Sequence, residues 1–433
     1  MLLHWFPLDV CILPQLRRLT WKFRRGHETL NSMSTVTRLL KPGNLRHFSC
    51  TLNWDAMDTY STLLNHICPN LTGLHSFKLL CLEPGYPSSA VPNASLIDDR
   101  SLIWRCFPYL QSLELNVRFT VTRNMLVSLS ELPLRSLALR RFSTSVASQS
   151  PRIQFIALRD LSLATTASSV AEFMQSISTP NAAGLFLDVD LYNNGTTPAN
   201  FSELNAIYST FPVSLRRVRI GITHSNVVRA QEAVGLELNE INFDNLVRPL
   251  RSLRNLRELT LHPHLTERYV GGFLDLPDSD FRSLVPSWPE LELFEYILLT
   301  RDYMRDGPTL DTIFAFARAH PRLLHLQLPY MCTDDLLRES EVLPPQEDVP
   351  PPLEGHGLLW LKIGSDPDIP NPTASLELPA ASVLAVDRAF PQVRKEIHRS
   401  LALNDQLEEY QWHLFEKELY ALQGEEKTHE EQW

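Results

Sequence analysis

One spacing recurs along this chain and limits what it can fold into: L-x-x-Φ-x-Φ, where Φ is apolar. It is plain in FPYLQSLELNV, where Leu110, Leu113 and Leu115 are separated by Ser112, Glu114 and Asn116. The spacing returns as LRRLTW (16–21), LRHFSC (45–50), LHSFKL (74–79), LQSLEL (110–115), LRSLAL (134–139) and LRDLSL (158–163). It continues as AAGLFL (182–187), LRRVRI (215–220), LRELTL (256–261), LELFEY (291–296), LLHLQL (323–328) and LLWLKI (358–363). Starts fall 24 to 41 residues apart, and in nine of the twelve a Pro lies one to five residues upstream. Alternation of this kind predicts a strand with one buried face, and a self-similar unit of this size predicts a stacked array.

Between these pieces the apolar period changes. AMDTYSTLLNHI (56–67), SSVAEFMQSIS (168–178), FSELNAIYSTF (201–211), FDNLVRPLRSL (243–253) and TLDTIFAFARAH (309–320) space apolar residues three and four apart, as amphipathic helices do. Each unit then reads helix, Pro break, short strand, with the Pro ending the helix. One unit cannot bury its apolar strand face alone, whereas stacked neighbours share a continuous core. The expected fold class is therefore α/β: a curved solenoid of about twelve irregular units, with a parallel sheet on the concave face and helices on the convex face. An open doubly wound α/β sheet is the alternative, although no strand is followed by a glycine-rich turn.

The expected domains are a solenoid over residues 1–379, a helical cap over 380–423 and an acidic tail over 424–433. Pro-rich loop insertions are expected at 81–95 and 339–357. A terminal helix is the usual cover for the open end of a solenoid.

The phrases FPYLQSLEL, WPELELFEY and HPRLLHLQL resemble leucine-rich-repeat proteins of the ribonuclease-inhibitor-like and fungal F-box types, over about residues 13–365. The resemblance implies a leucine-rich-repeat solenoid that binds a protein partner, as in substrate recognition by a ubiquitin-ligase adaptor. It departs from the family in one respect. The repeat template places Asn or Cys three residues past the last strand Leu, and Asn53 alone fits; Arg118, Phe142, Thr166 and Thr223 stand there elsewhere. The F-box, which docks a Skp-type adaptor, has no counterpart near the N-terminus, where LPQLRRLTW is already a repeat. Such an adaptor is expected only if an F-box lies upstream.

Charge and composition restrict function further. The net charge is −10, with eight Lys/Arg against Asp9 and Glu28 in residues 1–50, and nine acids against two Lys in residues 401–433. Overall acidity argues against phosphate-backbone binding as the main role. The basic N-terminal segment is expected to be a solvated face or docking edge. Six Cys without close pairing predict reduced thiols in a cytosolic or nuclear protein. No apolar stretch reaches the length of a membrane helix.

The sequence contains none of G-x-S-x-G, H-E-x-x-H, the P-loop or G-x-G-x-x-G. We therefore expect no enzyme, cofactor or metal site; the alternatives are an α/β enzyme with a site at strand ends, near Asp188, Asp190 or His262, and a structural scaffold with no ligase link. His262 and His264, with Glu258 and Glu267 nearby, read as a strand end turning into a loop rather than as metal ligands. Asp188 and Asp190 share one strand face without a basic or Gly-rich companion. The candidate partner-binding residues are those the apolar spacing skips. Along the chain they are Arg18, Lys22, His47, Lys78, Glu114, Asn116, Arg140, Asp160, Asp188 and Asp190. The row continues with Arg217, Arg219, Glu258, His262, Glu295, Gln327 and Trp360. A mixed polar row with an aromatic anchor suits protein recognition better than nucleic acid.

Overall fold

The computed structural model describes residues 15–22, 44–53, 71–82, 101–146, 151–190, 192–193, 197–198, 201–224, 243–265, 276–297, 307–328, 356–363 and Phe390. The chain divides into two compact units, Met1–Leu215 and Arg216–Trp433. The architecture is α/β, with a long parallel sheet in each unit.

In the first unit seven strands pair in chain order. They are β1 (Arg18–Lys22), β2 (His47–Asn53), β3 (Ser76–Leu82), β4 (Ser112–Val121), β5 (Ser136–Thr144), β6 (Asp160–Thr166) and β7 (Gly184–Asp190). Helices α1 (Arg123–Ser130), α2 (Ala167–Ser176) and α3 (Phe201–Tyr208) lie between the later strands in sequence. The second unit holds β8 (Arg217–His224), β9 (Glu258–Leu265), β10 (Leu293–Tyr296), β11 (His325–Leu328) and β12 (Trp360–Ile363). Its helices are α4 (Phe243–Val247), continued by a 3-10 turn Arg248–Ser252, α5 (Asp278–Arg282) and α6 (Leu310–Ala319).

Every one of the twelve sequence segments carries one of these strands, and each strand begins at the third residue of its segment. The register is equally regular. Arg18, His47, Ser76, Ser112, Ser136, Asp160 and Gly184 pair in succession, as do Arg217, Glu258, Leu293, His325 and Trp360. Parallel strands need a crossover, and the intervening helices and loops supply it.

The first, fourth and sixth residues of the segments make the core. Leu110, Leu113 and Leu115 are fully buried, and so are Leu256, Leu259 and Leu261 in the second unit. Among the described residues β1 alone leaves these places, Leu19 and Trp21, half-buried. Each buried Leu contributes about 1.5–3 kcal/mol of transfer free energy, so the apolar spacing outweighs any single polar contact. Aromatic stacks extend this core. Phe77 lies 5.9 Å from Phe48 and 6.0 Å from Phe107, while Phe281 lies 4.7 Å from Phe316.

Two hydrogen-bond ladders fix the lateral register where the expected asparagines are missing. In the first, one carbonyl just ahead of each strand accepts two N–H groups from the next segment. Arg46 and His47 N–H both donate to Arg17 O, at 2.8 and 2.9 Å. The acceptors recur at Arg46, His75, Gln111, Arg135 and Arg159, and in the second unit at Arg216, Arg257, Glu292 and Leu324. The second ladder, made by buried rings, is found in the second unit among the described residues. Trp288 Nε1–H donates to Leu250 O (2.8 Å), His320 Nε2 lies 2.7 Å from Ser287 O, and His356 Nε2 lies 2.9 Å from Ala317 O. Each of these buried rings reaches back to the preceding segment.

The Pro residues act differently from the expectation of a simple helix stop. Leu110 N–H donates to Phe107 O, Ala182 to Thr179, Leu291 to Trp288 and Leu323 to His320, at 2.9–3.1 Å. Pro108, Pro180, Pro289 and Pro321 thus occupy the second place of a tight turn, where their fixed φ is already correct.

Of the expected helices, those over 168–178, 201–211, 243–253 and 309–320 are present in substance. The 56–67 helix, the 380–423 cap (Phe390 excepted) and the 424–433 tail lie outside the described residues. The same holds for the two insertions, except Cys81 and Leu82 in β3 and the last two residues of the second, where His356 is buried. His262, Pro263 and His264 do not turn into a loop. They continue β9 in register with Gly221, Ile222 and Thr223 of β8. The Pro is tolerated because the described pairing with β10 ends at Leu261–Tyr296, so that among the described residues Pro263 meets strand on the β8 side alone.

Candidate interaction surface

Because side chains alternate along a strand, burying the fourth and sixth segment residues turns the third, fifth and seventh to the opposite face. Register then gathers them into columns. In the first unit Lys78 and Glu114 are direct neighbours and form an ion pair at 2.7 Å. Asn116 pairs in register with Arg140, Arg18 with His47, and Asp160 with Ser136. Asp188 and Asp190 sit on β7 beside Ala164 and Thr166 of β6. Arg18, Lys22, His47, Arg140 and Asp188 are exposed, while Lys78, Glu114, Asn116, Asp160 and Asp190 are half-buried. These residues share a face but form no closed constellation.

The second unit brings its candidates closer together. Glu295 accepts a hydrogen bond from Thr260 Oγ1 (3.0 Å) and lies 3.1 Å from His325 Nε2. The His325 ring stacks on Trp360, with centroids 3.7 Å apart and planes at 21°. The His325 ring, its Nε2 3.1 Å from the carboxylate, holds the Glu295 carboxyl below its usual range; Thr260 and the nearby Arg219 charge act in the same sense against the effect of burial. Glu295 is therefore an anion at neutral pH, fixed between a hydroxyl and an imidazole. Arg217 and Glu258 are register neighbours at the start of β8 and β9. His262 lies further along β9, opposite Gly221.

Gln327 departs from the expectation. It occupies an outward position but is only 6% exposed. Its strand has four residues, and the adjacent outward place is filled by the stacked His325–Trp360 pair, so Gln327 offers little to a partner.

Glu258 and His262 face the same way on β9, yet among the described residues no three His, Cys, Asp or Glu side chains gather as a metal site would require. Among those residues, too, no helix is long and apolar enough to cross a membrane. Cys50 and Cys81 are buried and Cys106 is half-buried; burial pushes the Cys50 thiol up to about 12, leaving it unreactive at neutral pH.

Sequence reasoning passed over several residues. Phe186 occupies an outward place on β7 and is half-buried there, an outward aromatic that the sequence reading did not name. Thr260 completes the Glu295 group; its place at the fifth residue of LRELTL is the only local sign of it. A cavity of about 390 Å³ lies ahead of β2–β4 rather than on the outward face, lined by Arg46, Thr72, Gly73, His75 and Tyr109. One sequence signal points there: the second residue is Arg in six of the twelve segments. Comparison with known protein families and with curated proteins gives no match to the chain.

Proposed function

We propose that this chain is a leucine-rich-repeat solenoid that binds a protein partner through the outward face of its strands and performs no chemistry itself. One observation supports the reading above others. Polar side chains stand in register columns on a rigid parallel sheet, and in the second unit Glu295, His325 and Trp360 are held in place before any partner arrives. A preorganised charged group beside an aromatic ring is what a recognition hot spot requires, since little side-chain freedom is left to lose on binding. The finer assignment, substrate recognition within a Skp-type ubiquitin ligase, belongs to the same proposal and depends on an F-box upstream of these residues.

The test is affinity capture with wild type and with the Arg217→Glu/Arg219→Glu and Trp360→Ala variants. Partners that bind this face are lost from the variants while the proteins stay folded. An unchanged partner set for both variants refutes the outward face as the binding surface.

A further inference from the structure

The residue just ahead of each strand, the second of its segment, forms a row along the leading edge of the sheet. In the first unit this row reads Arg17, Arg46, His75, Gln111, Arg135, Arg159 and Ala183, with no acid among the seven. The carbonyl ladder ties these residues together strand by strand, which sets their spacing near 4.8 Å. All four arginines are exposed. Exposed guanidiniums are solvated, but a row of one sign on this edge attracts an anionic partner at low salt.

Two further features coincide with it. The described large apolar side chains that stand exposed are Tyr109, Ile156, Val213, Leu324 and Leu359, and each lies within two residues of the start of its segment. In the first unit Tyr109 is 58% and Ile156 64% exposed, interleaved with the arginines. The cavity of about 390 Å³ opens on this same edge. There Arg46 Nη1 and His75 Nδ1 both donate to Gly73 O at 2.9 Å, which fixes both side chains and uses one of the five guanidinium N–H donors. The Tyr109 ring lies nearly parallel to that imidazole, 6.2 Å away.

We infer that the leading edge of the first unit binds an acidic segment of another protein with apolar residues interspersed, and that the Arg46–His75–Tyr109 cavity seats one of its anionic side chains. The guanidiniums pair carboxylate or phosphoryl oxygens bidentately, and the exposed Ile156 takes an apolar side chain. Nucleic acid fits less well. Ile156 offers no stacking surface to a base, and the chain's net charge of −10 opposes a long polyphosphate. This surface is separate from the outward strand face and does not rest on the function proposed for it.

The experiment is fluorescence anisotropy with the full chain and four labelled probes. These are a Glu/Leu-rich peptide, the same peptide with phosphoserine at its centre, a Lys/Leu-rich counterpart and oligouridylate RNA. At low salt both acidic peptides bind and the Lys/Leu peptide does not. Arg46→Glu/Arg135→Glu/Arg159→Glu weakens the acidic peptides at least about tenfold, while Arg217→Glu/Arg219→Glu leaves them unchanged. Arg135 and Arg159 contribute to the fold through their main-chain carbonyls and Arg46 adds one side-chain bond to Gly73 O, so the triple variant stays folded, and its thermal melt checks this. Preference for phosphoserine assigns the cavity to a phosphoryl group, and equal binding assigns it to a carboxylate. Undiminished binding by the triple variant, no binding of either acidic peptide, or tighter binding of the RNA overturns the inference.

Discussion

The His320 ring sets up a stability effect that can be followed by pH. It is fully buried at the end of α6, with Nδ1 2.7 Å from Phe316 O and Nε2 2.7 Å from Ser287 O. A neutral imidazole donates to one of these carbonyls and turns a lone pair toward the other; only an imidazolium satisfies both. Burial nevertheless dominates, with a smaller contribution from the neighbouring His356, and the group is held below its ordinary value of 6.5. A depressed folded pKa means that the unfolded chain takes up the proton first. The stability contributed by neutral His320 is therefore complete above pH 6.5 and is lost as pH falls from there through the folded pKa. Within that window the loss runs at up to about 1.4 kcal/mol per pH unit. His320→Gln keeps one donor for Ser287 O and has nothing to titrate. At about pH 8 the variant lies within about 1 kcal/mol of wild type, and the difference shifts in its favour toward about pH 5. Because two units need not unfold together, the readout is hydrogen exchange at α6 and β11 in increasing urea. His356, with Nε2 3.2 Å from His320 O, is the other ring facing this site. Parallel stability curves for wild type and variant over this pH range refute the reasoning.

Two further substitutions probe the same unit. Trp288→Phe removes the Nε1–H···O=C bond to Leu250 and part of a fully buried ring. Leu250 O still accepts from Leu253 N–H at 3.0 Å, so no carbonyl is orphaned, and the expected loss is about 2–3 kcal/mol in urea unfolding. A loss below about 0.5 kcal/mol denies the ladder a role in stability. Thr309 caps α6 by accepting from Thr312 N–H (3.3 Å) and donates to Asp278 (2.8 Å), so Thr309→Ala costs about 1–2 kcal/mol while Thr309→Ser restores most of it. Equal stability of the Ala and Ser variants removes the cap from the account.

The twelve strands are legible in the sequence because burial enforces them. A Leu one place out of step would carry the whole apolar set to solvent, so the spacing itself marks each strand's first residue. Helix α1 is harder to read: its eight residues bury Met125, Leu126 and Leu129, too few for a periodic signal to stand above its surroundings. The side chains that tie neighbouring segments together are harder still. Trp288, His320 and His356 each contact main-chain carbonyls more than thirty residues back, and main-chain partners leave no pattern in residue identity. The outward columns follow from alternation, yet alternation misplaces the leading edge. Counted as part of the strand, the second residue would point inward, where Arg17, Arg46, Arg135 and Arg159 make no sense. Because each strand begins one residue later, that place lies ahead of the pleat, its carbonyl bonded sideways and its side chain released to solvent. Arginine recurs there without costing the core anything. The position is thus constrained in its backbone while the arginine side chains it carries in the first unit stay exposed, which is why the proposed leading-edge surface could not be read from strand alternation.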